Sequence, residues 1–235
     1  STAADPPAPS RQKSGPHGGQ WGGRKHEHEP SLPLAQVVAA ATMLLPACTT
    51  YLAVQGLGCA GLFSGRPVGS AQLGWLLVLP GSFVNHLGHA AARRWLPPLQ
   101  KLDRATITIS SVLACWGQSQ NVLFTALGGL LGAAILLAML VGPKDIREDE
   151  NLITGCVGGL VLFALSGMAI FREELDPYLL PSACCILTGL AVFNFEVGHI
   201  WADTLWHVIL GGYAWCLAVS AVGVESRLYG SCQGG

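Results

Sequence analysis

EVGHIWADTLWHVILGGYAW, residues 196–215, decides how this chain is read. His199, Asp203 and His207 stand four residues apart inside an apolar run. On a helix of 3.6 residues per turn, that spacing puts all three on one face. The run continues through Leu217, Ala218, Val219 and Val222, long enough to cross a bilayer. Ionisable side chains inside a spanning helix are costly, and they ordinarily point at partners within the protein. The fold must therefore supply those partners from elsewhere in the chain.

Composition agrees with a membrane reading. Of 235 residues, 51% are hydrophobic and 11% charged, against about 25% charged in soluble domains. A net charge of −1 gives no basic patch and so no nucleic-acid partner. The eight cysteines, Cys48, Cys59, Cys115, Cys156, Cys184, Cys185, Cys216 and Cys232, are scattered without a C-x-x-C pair, which indicates neither a disulfide framework nor a zinc ribbon. Most of them lie in apolar runs, where a thiol packs as a small hydrophobe.

Residues 1–30 are rich in Pro, Gly, Ser, Gln and His, cannot bury a core, and are expected to be a disordered polar tail. His17, His26 and His28 in that tail read as solvated rather than as a metal tract. No cleavable signal peptide is expected, because the first apolar run begins near Leu32 behind the tail. Seven apolar runs then follow: 32–54, kinked at Pro46; 72–92, with Pro80–Gly81 in its middle; one opened by Asp103; 122–141; 152–171; 178–195; and 199–222. Gly117–Gln118–Ser119–Gln120 separates the third from the fourth, and Pro97–Pro98 keeps the second from continuing. The expected fold is all-α: a polytopic seven-transmembrane-helix bundle over residues 31–224, with a short C-terminal tail, 225–235. The abundant glycine fits helices packed closely in lipid.

Seven crossings put the termini on opposite sides. Ten Lys and Arg residues then fall on the N-terminal side and three on the other: Arg66, Arg172 and Arg227. By the positive-inside rule the N-terminus is expected in the cytosol. The same topology brings polar groups from three helices into one leaflet. Ser82, His86 and His89 lie near the end of the second span on one face, Asp103 opens the third, and His199, Asp203 and His207 begin the seventh.

Such a cluster suits zinc, which takes imidazole nitrogen and carboxylate oxygen and, in catalytic sites, keeps one position for water. His86, Asp203 and His207 are the expected ligands, with His199 and His89 as possible additional ones. Ser82 and Asp103 are placed to orient the water or to stabilise an oxyanion. A water acidified by zinc attacks a carbonyl at neutral pH, and a site open to acyl chains suits a lipid amide or ester. Each residue alone also has a simpler role. Ser82 can mend the backbone at the Pro80 kink, His86 can bond a neighbouring helix, and Asp103 can cap its helix. His89 and His199 can sit in the headgroup region, and Asp203 can pair with His207 and bind nothing. Trp95, Trp201 and Trp206 fit an aromatic belt on this side.

These residues carry a family resemblance. Ser82-x-x-x-His86, an Asp opening the next helix, and Trp206-His207 with an acidic residue four before it resemble the CREST superfamily. That group of seven-helix membrane proteins includes the alkaline ceramidases, the progestin and adiponectin receptors and myomaker-like proteins. Its pattern is S-x-x-x-H, then D, then H-x-x-x-H. The resemblance spans about residues 32–223. It implies zinc held by His86 and His207, with Ser82 and Asp103 beside the catalytic water. Asp203 departs from the pattern, standing where the first His of H-x-x-x-H is expected, with His199 one turn earlier. The orientation suits the adiponectin-receptor branch. Two functions follow: a zinc-dependent intramembrane hydrolase of a lipid amide or ester, or a non-catalytic seven-helix protein that organises membrane or senses a lipid. On either, the partners are the bilayer and a lipid substrate or ligand.

Overall fold

A computed structural model of the chain describes residues 32–55, 65–91, 96–171, 176–195 and 197–230. The expected N-terminal tail, Cys59, Trp95, Arg172 and Cys232 lie outside these residues. All regular structure among the described residues is helical: α1 (Leu32–Thr42), α2 (Leu44–Gln55), α3 (Pro67–Ala91), α4 (Leu96–Ser119), α5 (Val122–Val141), α6 (Lys144–Arg147), α7 (Glu150–Ile170), α8 (Leu179–Asn194) and α9 (Ala202–Tyr229). A 3-10 turn, His199–Trp201, leads into α9. Counting α1 and α2 as one rod, five helices are long and apolar enough to cross a bilayer: Pro33–Gln55, Pro67–Ala91, Val122–Val141, Leu152–Ile170 and His199–Tyr229. The chain is an all-helical, multi-pass membrane protein. The expected count of seven includes two further helices outside those five: α4, which carries many polar residues, and α8, whose apolar stretch Leu179–Phe193 is shorter.

Local chemistry sets the breaks. Pro46 has no N–H for the Thr42 carbonyl, and its ring crowds that turn. The break therefore appears upstream, at Met43, whose amide is shared between the carbonyls of Ala39 and Ala40 at 3.2 Å each. Pro97 and Pro98 sit in the first turn of α4, where a missing N–H leaves no bond unmade. At the other end of α4, Gln120 adopts φ 50. Asn121 then caps α5 by accepting from the Phe124 amide at 2.9 Å. That tight joint matches the polar knot read from the sequence.

The helices α3 and α4 make the broadest pairing in the bundle, and α9 packs against α2, α3 and α8. Contact between α3 and α4 is close because small residues line it. A Cβ on Gly81 would stand 2.5 Å from Thr106 Oγ1 and 3.3 Å from Asp103 Cα. On α4, Thr106, Thr108, Ser111 and Ser119 return their hydroxyls to carbonyls three or four residues back, at 2.7–2.8 Å, which satisfies them within the helix. Apolar packing fills the rest: Leu165, Met168, Ile186, Tyr213 and Leu217 join α7, α8 and α9, while Ala53, Val54, Val68, Ala71, Ala218, Ala221 and Val222 join α2, α3 and α9. In contrast, α5 turns Val122, Leu123, Leu130 and Val141 outward, as a lipid-facing helix does.

Three expectations change. The last helix does not stop at Val222 but runs to Tyr229, and carries Glu225 inside the bundle. There it accepts from the Val68 amide at 3.2 Å and pairs with Arg66 at 3.7 Å. Asp103 does not open or cap its helix; α4 starts at Leu96, so Asp103 lies about two turns in. Trp206 packs against Gly189 of α8 and lies 6.2 Å from the Phe193 ring. His199 does not share a helix face with Asp203 and His207. It stands exposed in the 3-10 turn at φ 55, after Gly198 at φ 88.

Candidate functional site

Antiparallel packing puts the start of α1, the end of α3, the start of α4 and the start of α9 at one end of the bundle. There, His86, Asp203 and His207 are all buried. The two imidazoles meet edge to face with ring centroids 4.8 Å apart, and the Asp203 carboxylate Oδ2 lies 3.9 Å from His86 Nδ1. The three residues expected as ligands are thus brought together from α3 and α9. Asp103 sits beside them. Its Oδ2 accepts from Asn85 Nδ2 at 3.1 Å, Ser82 is in hydrogen-bonding range of the same carboxylate, and Asp203 is near enough for its charge to be felt there. Ser82, on the turn after Pro80, thus has a partner in Asp103 across the α3–α4 contact. His89 lies one turn beyond His86, half-buried near the end of α3. His199 is at the exposed turn.

Three contributors went unread in the sequence. Gln36 on α1, 1% exposed, donates from Nε2 to Asp203 Oδ2 at 2.8 Å, and its Oε1 lies 2.8 Å from His86 Nδ1. Thr42, at the end of α1, lies 3.1 Å from His207 Nδ1. Asn85 completes the set through Asp103. The signal for Gln36 was present: it is the single polar residue in LPLAQVVAAA, residues 32–41, and a lone polar side chain in a spanning helix points inward.

Hydrogen-bond logic fixes both rings. An ionised carboxylate only accepts, so the Gln36 amide nitrogen faces Asp203 and its oxygen faces His86. His86 Nδ1 must then donate. A carbonyl also only accepts, so His207 Nδ1 donates to Ala39 O at 2.9 Å. Thr42 gives its own proton to the same carbonyl at 2.8 Å and offers its oxygen to that imidazole. The break at Met43 leaves the Ala39 carbonyl loosely held by its own helix, which makes it available to His207. Both histidines thus donate from Nδ1, which in the neutral rings leaves the lone pair on Nε2. This is the arrangement that orients imidazole ligands toward a metal.

The donor chemistry, two imidazoles so oriented and a carboxylate, fits zinc. A second observation agrees: Asp103 Oδ1 and Asn85 Oδ1 are buried without a hydrogen-bond partner, acceptors that a bound water would satisfy. As placed, no three His, Cys, Asp or Glu among the described residues form a metal-holding group.

No known family model, curated protein or solved structure matches the chain.

Proposed function

We propose that the chain is a zinc-dependent intramembrane hydrolase of a lipid amide or ester, on a seven-helix bundle like that of the CREST superfamily, with its N-terminus in the cytosol. On this reading α4 and α8 complete the seven crossings. The observation that carries it is the buried His86–His207 pair, with each Nδ1 proton committed to a protein acceptor. His86 and His207 would hold the zinc through Nε2, with Asp203 as the third ligand. Zinc, when bound, supplies a water acidic enough to act as a nucleophile at neutral pH. Asp103 would hold such a water by its unpartnered Oδ1 and would accept its proton there, with Asn85 and Ser82 fixing the carboxylate from the other side. An oxyanion would take the Ser82 proton only if that hydroxyl left Asp103. The test is elemental analysis of protein purified without chelator. About one zinc per chain is expected, lost in His86→Ala and His207→Ala; wild-type protein free of metal ends this reading.

A specific observation favours a second reading. Gln36 satisfies His86 and Asp203 together with no metal, which suits a non-catalytic relative that organises membrane or senses a lipid. On that reading Ser82→Ala and Asp103→Ala leave function in cells intact, whereas the hydrolase loses activity in both.

A further inference from the structure

The stretch that delivers Gln36 holds no other polar residue, so an amide there has no role in the lipid-facing chemistry of α1. It is instead 1% exposed and reaches two different helices, α3 and α9, with its two ends. We propose that Gln36 is a positioning residue: its carbonyl fixes His86 in the Nδ1–H form, and its amide nitrogen holds the Asp203 carboxylate in place until a cation claims it. The value of this for zinc rests on the hydrolase reading; the tautomer assignment does not.

The two ends act separately, and two variants tell them apart. Gln36→Leu fills much of the same volume but removes both bonds. Gln36→Glu keeps an acceptor for His86 Nδ1–H and removes the donor to Asp203. With the acceptor gone, nothing in this pair of bonds prefers one His86 tautomer. With glutamate the preference stays, while Asp203 meets a like charge instead of an amide.

The experiment is nitrogen NMR of the full chain in detergent with imidazole-labelled histidine, His86 being assigned by its absence in His86→Gln. In the wild type His86 is expected as the Nδ1–H form. Gln36→Glu retains it, and Gln36→Leu shows the Nε2–H form or a mixture. A wild-type His86 protonated at Nε2, or a tautomer unmoved by Gln36→Leu, overturns the assignment. A purely structural role would change thermal stability without moving the tautomer. Zinc titration of the same proteins is the second readout. Gln36→Leu is expected to bind about 10–100-fold more weakly, the usual cost of losing a partner behind an imidazole ligand, and Gln36→Glu to recover most of that affinity. If the wild type binds no zinc, the hydrolase reading fails, and the NMR result alone decides for or against Gln36.

Discussion

His86 and His207 stand edge to face, ring centroids 4.8 Å apart, each with its Nδ1 proton given to α1: one to the Gln36 side chain, the other to the Ala39 carbonyl. The first helix is therefore the scaffold of the pair, although it contributes neither ring. His207→Ala should abolish zinc retention. It should also destabilise metal-free protein by about 0.5–3 kcal/mol, since a buried imidazole is lost with its bond to Ala39 O, a carbonyl that keeps Thr42 Oγ1 and the Met43 amide as donors. Elemental analysis and thermal unfolding in detergent check the two parts, and zinc retained at the wild-type level would refute the first.

Gly81→Ala should loosen the α3–α4 contact that holds Ser82 and Asn85 against Asp103. The added methyl meets Thr106 Oγ1 at 2.5 Å and the backbone of Asp103 at 3.3 Å, and overpacking of this kind costs about 1–3 kcal/mol. Gly129→Ala, on α5, meets nothing within 4 Å and should be neutral or slightly stabilising, by up to about 1 kcal/mol. Equal unfolding midpoints for the two variants would contradict the close approach.

At the opposite end of the bundle, Glu225→Ala should cost about 1–3 kcal/mol, because the Val68 amide at the start of α3 loses its acceptor in a buried place. Glu225→Gln keeps an acceptor and should cost less. Arg66→Ala leaves the 1%-exposed Glu225 carboxylate without the cation 3.7 Å away and removes the guanidinium from the Tyr229 ring, so it should cost more than Glu225→Gln. The order of the unfolding midpoints is the test.

Ser220→Ala should destabilise by about 1–3 kcal/mol. Its hydroxyl lies 2.6 Å from Asp176 Oδ2 and 3.2 Å from Gln118 Oε1, tying the segment before α8 to α4 and α9. Ser166→Ala is the control, since that hydroxyl returns to the Phe163 carbonyl of its own helix at 2.6 Å. A loss no larger than the control's would remove Ser220 from the tie.

Much of the architecture was legible because it is written locally. Apolar length, the prolines at 97–98 and the polar knot before Asn121 mark helices and joints without reference to anything distant. The convergence of His86, Asp103, Asp203 and His207 at one end was legible too, since it follows from the order and alternating direction of the helices.

What the sequence determined by itself was the kind of solvent the helices face and the level at which the ionisable groups lie, both set by composition and spacing along one chain. What only the tertiary structure decided was who partners whom. Gln36, Thr42 and Asn85 enter the site, and His199 leaves the face it shares with Asp203 on an ideal helix. Glu225 extends α9 past its apolar run to reach the first turn of α3. A helix repeats every 3.6 residues whatever surrounds it, but the rotation of one helix about another depends on where small residues such as Gly81 let two backbones approach and where positive φ at Gly198 and His199 ends the regular spacing. Those are properties of faces in contact, and no single helix carries them.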